Sequence, residues 1–328
     1  MKTQLNFIGI DVSKDTLDIC LLSETSESFV IKNTEKAIVR FFEKLLSHDA
    51  TYHICCENTG RYTWVLMSIL GDMDCRFYVV NPLHLKRSLG LVRGKNDKID
   101  AIRIAHFIKK NYNETPAYIS KREIIETLQV LLSERRFRIG QRQQLKTKNK
   151  ELKVLKNKKL AKHIIEQNNT IIKELTVQAK DIEQKIKGLA KSDQRLDTLT
   201  KQLKSIPGVG DILCWNIIVK TNEFKSITQP RKLACYCGVA PFKNTSGISV
   251  FGKNRVSNLA DKPLKKLLHL GAMSAIRLEN DLAIYYRRKV GEGKNKMSTL
   301  NAVRNKIIHL IFAMVKNQTF YQNRLVMS

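Results

Sequence analysis

Phe7-Ile-Gly-Ile-Asp-Val-Ser-Lys-Asp-Thr-Leu-Asp-Ile-Cys-Leu-Leu22 decides the fold of the N-terminal third. Phe7–Ile10 is a short apolar run that stops at Asp11. Ser13-Lys14-Asp15 reads as a turn, Thr16–Leu22 as a second strand and Phe29–Lys32 as a third. The chain therefore opens as a β-meander with an acid at the end of its first strand. Thr34 caps a helix through about Ser47, with Ala37, Val39, Phe42, Leu45 and Leu46 on its apolar positions. Tyr52–Cys56 is the next strand and ends at Glu57. Asn58–Arg61 is a turn, Tyr62–Leu70 an apolar helix, and Arg76–Val80 a strand closed by Asn81-Pro82. This order predicts an α/β mixed sheet with helices on its faces.

The same region holds the candidate chemistry. Leu91–Ile108 opens as a basic, glycine-containing loop and continues as an amphipathic helix with Ile99, Ile102, Ala105 and Ile108 at helical spacing. Asp97 and Asp100 fall in its first turn. Residues three apart on a helix have Cβ atoms roughly 5–6 Å apart, so each carboxylate hinders ionisation of the other. One reading is that these acids suit the helix N-terminus. The other is half of a site for a hard divalent cation such as Mg²⁺, which binds through a few carboxylates and phosphate oxygens. Asp11 and Glu57 each stand where an apolar strand stops, and sites in open α/β sheets gather outside the carboxyl ends of strands. Each acid alone reads equally well as a turn residue. If the two strands are neighbours, all four carboxylates can meet and hold two metals ~3.5–4 Å apart. Arg61, Lys86, Arg87, Arg93 and Lys95 read either as phosphate contacts or as solvated surface charge.

Composition narrows the partners. Among 328 residues, 58 Lys and Arg face 30 Asp and Glu, a net charge of +28. So basic a chain meets a polyanion, nucleic acid first and an anionic membrane surface second. No apolar stretch of about 18 residues is present, which argues against a transmembrane span. The N-terminus lacks a signal-peptide pattern, so a cytoplasmic location is expected. The seven cysteines are an odd set without metal spacing and read as small core residues.

Between residues 119 and 204 proline is absent and glycine scarce. Arg135–Lys162 carries twelve Lys and Arg against one acid, Glu151. Leu175, Ile182, Leu189, Leu196 and Leu203 repeat every seven residues, with Ile172, Ala179 and Ile186 as a companion line. Two long helices forming a coiled-coil hairpin are expected, with a break at Asn168-Asn169-Thr170. The basic first arm suits a polyanion; a solvated stalk is the alternative. Beyond it, Leu203–Trp215 reads as helix, glycine turn, helix, whose backbone N–H groups suit a phosphate, although a plain tight turn explains Pro207-Gly-Val-Gly210 as well. Cys235–Ser249 is expected to be a loop. Pro263–Arg277 and Ser298–Met314 are expected to be helices, connected through Tyr285–Lys289 and Gly291–Lys294. Nothing physical singles out Ser246, since Ser-Gly is a common turn.

Ile8–Lys14, Glu57–Arg61, Val80-Asn-Pro82 and Lys95–Ala101 resemble the RuvC-like (RNase H-like) domain of DEDD transposases of the IS one-ten insertion-sequence family. The segment from the glycine turn through Gly238-Val-Ala-Pro241 to Gly293-Lys294 is similar to that family's second domain, departing from it at Ser257–Lys262. The resemblance implies three regions: a RuvC-like metal-dependent catalytic domain at 1–118, a basic coiled-coil segment at 119–204, and a mainly α C-terminal domain with a helix-hairpin-helix at 205–328. It maps the quartet onto Asp11, Glu57, Asp97 and Asp100, with two Mg²⁺ ions, and a catalytic serine onto Ser246. It implies a recombinase that excises and inserts its own mobile element through a phosphoserine–DNA intermediate. The implied partners are donor and target DNA, a noncoding bridge RNA as guide, and further copies of the chain, as a dimer or as a tetramer in the synaptic complex. The active site would be shared between subunits. The expected setting is a prokaryotic cytoplasm, on the nucleoid when bound to DNA. Two rival readings stay open. One is a metal-dependent nuclease or Holliday-junction resolvase in which water attacks; the other is a nucleic-acid scaffold without chemistry.

Overall fold

The computed structural model describes residues 5–46, 50–88, 90, 96–246 and 250–323, with side chains of 243–255 left aside. The chain divides into two compact units, Met1–Ser120 and Lys121–Ser328.

In the first unit β1 (Leu5–Val12), β2 (Thr16–Leu22) and β3 (Ser26–Lys32) form the expected meander. They are followed by α1 (Glu35–Leu46), β4 (Thr51–Glu57), a 3₁₀ turn (Gly60–Thr63), α2 (Trp64–Leu70), β5 (Arg76–Val80), α3 (Pro82–Ser88) and α4 (Asp97–Asn111). The strand order is β3-β2-β1-β4-β5. β1 and β3 both pair antiparallel with β2, whereas β1–β4 and β4–β5 are parallel. The sheet is therefore mixed, as the element order predicts.

Side chains alternate between the faces of a sheet, and here the alternation sorts two cores. Ile8, Ile10, Leu17, Ile19 and Ile54 pack with Ile38 and Phe42 of α1 and with Leu66 and Leu70 of α2. Phe7, Cys20, Cys55 and Tyr78 pack with Ala101, Ile104, Ala105 and Ile108 of α4. The second series continues, two residues at a time, to Asp11 on β1, Asp18 on β2 and Glu57 on β4, which places all three on the α4 side.

Gly9 sets how closely α4 lies on the sheet. A Cβ at this position would stand 2.1 Å from the Ala101 carbonyl oxygen and 2.2 Å from the Ala105 nitrogen. Small residues on the helix and none on the strand let backbone meet backbone.

In the second unit α5 (Glu123–Leu152) and α6 (Lys158–Ser192) form an antiparallel helical hairpin. The pairs Arg135–Glu183, Arg138–Gln178, Arg142–Thr176 and Asn149–Asn169 fix its register. The break expected at Asn168–Thr170 does not occur. Asn168 donates to Asn149 at 2.8 Å and Asn149 to Asn169 at 3.0 Å, so these amides form a polar layer within a continuous helix. The turn lies nearer the tip, where Asn157 caps α6 by accepting from Leu160 N at 3.0 Å. Leu175, Ala179 and Ile186 of the heptad lines are buried. Leu196 and Leu203, however, belong to α7 (Gln194–Lys204), because Asp193 leaves the helical backbone and caps the new helix.

The base of the hairpin is held by charge. Arg122, ahead of α5, donates to Asp193 at 2.7 Å and to Glu223 at 2.6 and 2.9 Å. The Glu223 side chain is fully buried and also meets Arg195 at 3.0 Å. Asn222, Glu223 and Phe224 all have positive φ (49°, 54° and 66°). Three such residues in a row are strained, and the ion cluster stands where the strain is held.

The remaining elements are α8 (Asp211–Thr221), α9 (Pro230–Tyr236), β6 (Pro241–Ser246), β7 (Val250–Val256), α10 (Lys262–Ala275), α11 (Asp281–Gly291) and α12 (Lys296–Asn317). The stretch Cys235–Ser249, expected as loop, contains the end of α9 and one arm of a β-hairpin. Its strands pair antiparallel from Pro241↔Val256 to Ser246↔Val250. Tyr285–Lys289, expected as a connection, lies in α11. Asn280 caps that helix by accepting from Leu282 N and Ala283 N, and both of those residues are buried.

Gly9→Ala should place a methyl group against the α4 backbone and cost about 3 kcal/mol, the upper end for overpacking. For a unit of this size that lowers the melting temperature by roughly 10 °C. A thermal melt of the full chain followed by circular dichroism checks this, and an unchanged melting curve would contradict the close approach.

Candidate carboxylate site at the strand ends

β1 and β4 are parallel neighbours in register Ile10↔Cys56, so Asp11 and Glu57 follow one step further on adjacent strands. Across β1 on the other side, Asp11 pairs directly with Asp18 of β2. Ser13 closes the β1–β2 turn by accepting from Thr16 N at 3.0 Å, which holds these two acids in register. Beyond Glu57, Asn58 N donates to Val80 O at 3.0 Å and fastens the end of β4 to β5.

The other two acids come from α4. Its cap is Asn96, whose side chain accepts from Lys98 N at 3.1 Å, so capping is not the task of Asp97 or Asp100. Asp97 is exposed. Asp100 is half-buried and takes a 2.7 Å ion pair from Arg103 one turn on. Because α4 lies antiparallel to β1 over Gly9, its first turn arrives at the end of β1 that carries Asp11.

The electrostatics report the convergence. Burial pushes the Asp11 carboxyl up from 3.8 to about 6, and Asp97, Asp100, Glu57 and Asp18 add to the rise in that order. Asp18 is raised as well, by burial and then by Asp97. Asp11 thus feels all three of the other predicted acids and one more, Asp18, which the sequence reading passed over. Strand alternation in Thr16-Leu-Asp-Ile19 was the signal that could have found it.

An all-oxygen set that repels itself fits the donor preference of a hard divalent cation. As placed, no three His, Cys, Asp or Glu side chains among the described residues lie close enough together to hold an ion. Asp100 would exchange Arg103 for a cation. Arg61 is exposed and lies over the Tyr62 ring at 5.2 Å, and Lys86 and Arg87 are exposed on α3. Arg93 and Lys95 lie outside the described residues. Ser246 is the last residue of β6 and pairs with Val250, the first of β7.

Comparison with known proteins assigns the family. Residues 8–158 match the DEDD transposase family of IS110, and residues 200–287 match the transposase family IS116/IS110/IS902. The chain belongs to the IS110 family of transposases. It is similar over almost its full length to two pilin gene-inverting proteins. Those of Moraxella lacunata and Moraxella bovis are each 24% identical over 327 residues, which is 97% of this chain and 98% of theirs. The uncharacterized 43.6 kDa protein of insertion element IS110 from Streptomyces coelicolor is 29% identical over 127 residues, 39% of this chain and 31% of that one. The IS110-family chain is therefore an enzyme class acting on DNA. Among its described residues no helix is long and apolar enough to cross a membrane.

A folded-state carboxyl above its unfolded value costs stability once it ionises. The penalty is absent below about pH 4 and grows as pH rises through about 6. Asp11→Asn should therefore stabilise the metal-free protein at pH 7.5 by on the order of 1 kcal/mol, after screening of a half-exposed group, and so raise its melting temperature there while leaving it unchanged at pH 4. Melts at the two pH values check this; an equal shift at both would mean that charge is not the cause.

Proposed function

We propose that this transposase cuts and rejoins DNA with the carboxylates at the strand ends and with Ser246. The observation that supports the reading is the rise of Asp11 to about 6 under burial and the charges of Asp97, Asp100 and Glu57. Four acids from three elements converge there, and each raises or shares the burden on Asp11. Such a set is costly to keep unless a cation belongs to it. Asp11, Glu57, Asp97 and Asp100 would hold Mg²⁺, as two ions, which polarise the scissile phosphate when bound.

The residues of the chain do the rest. The Ser246 hydroxyl gives up its proton as its oxygen forms a bond to phosphorus, the bond from phosphorus to a sugar oxygen breaks, and the departing sugar oxygen takes up one proton in its place. The phosphoserine link keeps the energy of the phosphodiester, so that a second sugar hydroxyl can reverse the step on a new partner. Water in the role of the serine would make a nuclease or junction resolvase instead. The helix pair α7–α8 acts as a helix-hairpin-helix on DNA, and the α5–α6 hairpin as a coiled coil between copies of the chain. A bridge RNA as guide accords with the net charge of +28, far beyond what solubility requires.

Incubation with Mg²⁺, guide RNA and end-labelled donor DNA, followed by denaturation, separates the readings. The parent protein should retain label covalently. Ser246→Ala should lose that product, and Asp97→Asn or Asp100→Asn should lose it at least a hundredfold while still binding DNA. Free nicked DNA from Ser246→Ala at the parental rate would establish water as the nucleophile. Intact DNA from the parent would leave only a scaffold.

A further inference from the structure

Arg304 of α12 is 7% exposed, yet it is not matched by an acid. Burial lowers its pKa, and no carboxylate among the described residues raises it back. Its Nη2 instead meets Nδ1 of His269 on α10 at 2.6 Å, and its Nη1 meets Oδ1 of Asn301, one turn back, at 3.4 Å. Its Nε–H finds no acceptor among the described residues. A buried guanidinium so poorly matched is costly, and an apolar side chain of similar volume would fill the same place at less cost. The arrangement calls for a cause other than packing.

A guanidinium can only donate, and this orders both of its neighbours. His269 must accept at Nδ1, so its ring is neutral and carries its proton on Nε2. Asn301 offers its oxygen to Arg304, which leaves its amide nitrogen to donate to the Val239 carbonyl at 2.8 Å. Val239 is the root of the β6–β7 hairpin. Gly238, at φ +62°, turns the chain out of α9, and the fully buried Val239 and Ala240 lead it into β6. Arg231 of α9 adds a second hold, donating to the Pro241 carbonyl at 3.3 Å.

The root matters because Ser246 stands at the far end of β6, which begins at Pro241. That separation is about 17 Å at a strand rise of ~3.4 Å per residue. A swing of about 3° at the root therefore moves the end of the strand by about 1 Å. A misplacement of about 1 Å can slow a reaction on the order of a hundredfold.

We propose that His269, Arg304 and Asn301 are positioning residues for Ser246, a proton-sensitive clasp that aims the β6–β7 hairpin while His269 is neutral and releases it once His269 is protonated. The consequence for rate rests on the serine reading above; the clasp itself does not. A second proton on His269 would set N–H against N–H. The charges around the ring have one sign: Arg304 on α12, and Lys265 and Lys266 one turn back on α10. On α8, Asp211 and Lys220 are paired with Lys204 and with Asp261, which caps α10. Burial first and Arg304 second hold the His269 pKa below its ordinary 6.5. The clasp is thus whole above about pH 6.5 and is lost as pH falls below it.

Hydrogen exchange of the metal-free full-length protein tests the clasp without DNA. Peptides spanning 239–258 are followed, corrected for intrinsic rates, with peptides of α10 and α12 as reference. The parent hairpin should lose protection about threefold or more between pH 7.5 and pH 5 while the reference stays steady. His269→Asn keeps an acceptor oxygen near the place of Nδ1 and cannot titrate. It should match the parent protection at pH 7.5 and retain it at pH 5. Arg304→Met, apolar and of similar volume, should show the loosened hairpin at both pH values, with a melting temperature within a few degrees of the parent. Covalent DNA product formed with Mg²⁺ and guide RNA reads the consequence. Arg304→Met should slow it at least tenfold at unchanged DNA affinity. The ratio of His269→Asn to parental rate should rise as pH falls, a ratio from which the titration of Asp11 cancels. Parental protection in Arg304→Met, or the same loss at pH 5 in His269→Asn as in the parent, would overturn the clasp. Failure of the serine reading shows elsewhere, as DNA cutting by Ser246→Ala, and leaves the exchange results standing.

Discussion

Contact between one strand backbone and one helix backbone governs the first unit. At Gly9 the Ala101 carbonyl oxygen and the Ala105 nitrogen lie where any side chain would have to begin. Such proximity fixes the height of α4 above the sheet and also its position along β1. The first turn of α4 then comes to the carboxyl end of β1, where Asp11 stands. Any larger residue at 9 would lift the helix, and the acids on it would no longer share a field with those on the strands. Ala101 and Ala105 are not fillers in a core otherwise made of Phe7, Ile104 and Ile108; they are what allows the approach.

The acids gathered by this packing work against the fold that gathers them. Asp11 is pushed up to about 6 by burial first and by its neighbours second. Asp18 takes part from the opposite strand, and Asp100 meets Arg103 in an ion pair. A structure indifferent to this corner would have placed apolar or neutral residues at strand ends so close to two well-packed cores. Local electrostatic strain supported by a stable scaffold is the pattern expected where a protein places its chemistry.

Much of this was legible from the residues. Apolar runs ending at Asp11 and Glu57, and the helical spacing after Asp97, carry the sheet and the place of the acids, because strand and helix periods are properties of the chain itself. For Asp18 the alternation in Thr16–Ile19 gives the face of the strand, but that it stands opposite Asp11 comes from antiparallel register, which is a relation between strands. The continuity of α6 through Asn168 and Asn169 was hidden for the same reason. Asparagines next to each other read as a break until Asn149 on the opposite helix supplies their partner. Conversely, the seven-residue repeat ran on through Leu196 and Leu203 although a new helix begins at Asp193, since a capped restart can preserve the spacing of apolar residues. The β6–β7 hairpin was read as loop because Lys243, Asn244, Thr245 and Ser246 have the composition of a turn; pairing with Val250–Val256 decides otherwise.

The charge of the whole chain and the charge of the strand ends have opposite signs, and the contrast limits how DNA can be used. A net charge of +28 draws in a phosphate backbone over distances of about a Debye length, ~10 Å at moderate salt. Within a few ångströms of Asp11, Glu57, Asp97 and Asp100 the field is reversed, and a phosphodiester is repelled. Basic residues elsewhere must therefore hold the strand while the carboxylates do not. In α5 some of these bases are already occupied: Arg135 meets Glu183, and Arg138 meets Glu134 and Gln178. Charges spent within the hairpin fix its register and are lost to a partner. Lys148 meets Glu151 at 3.3 Å, whereas Lys146 and Lys150 of α5 meet no acid among the described residues and are left to carry affinity. On the proposed reading of the acids, this arrangement would separate binding from chemistry: a strand can be gripped in full before any phosphate is tolerated at the carboxylates.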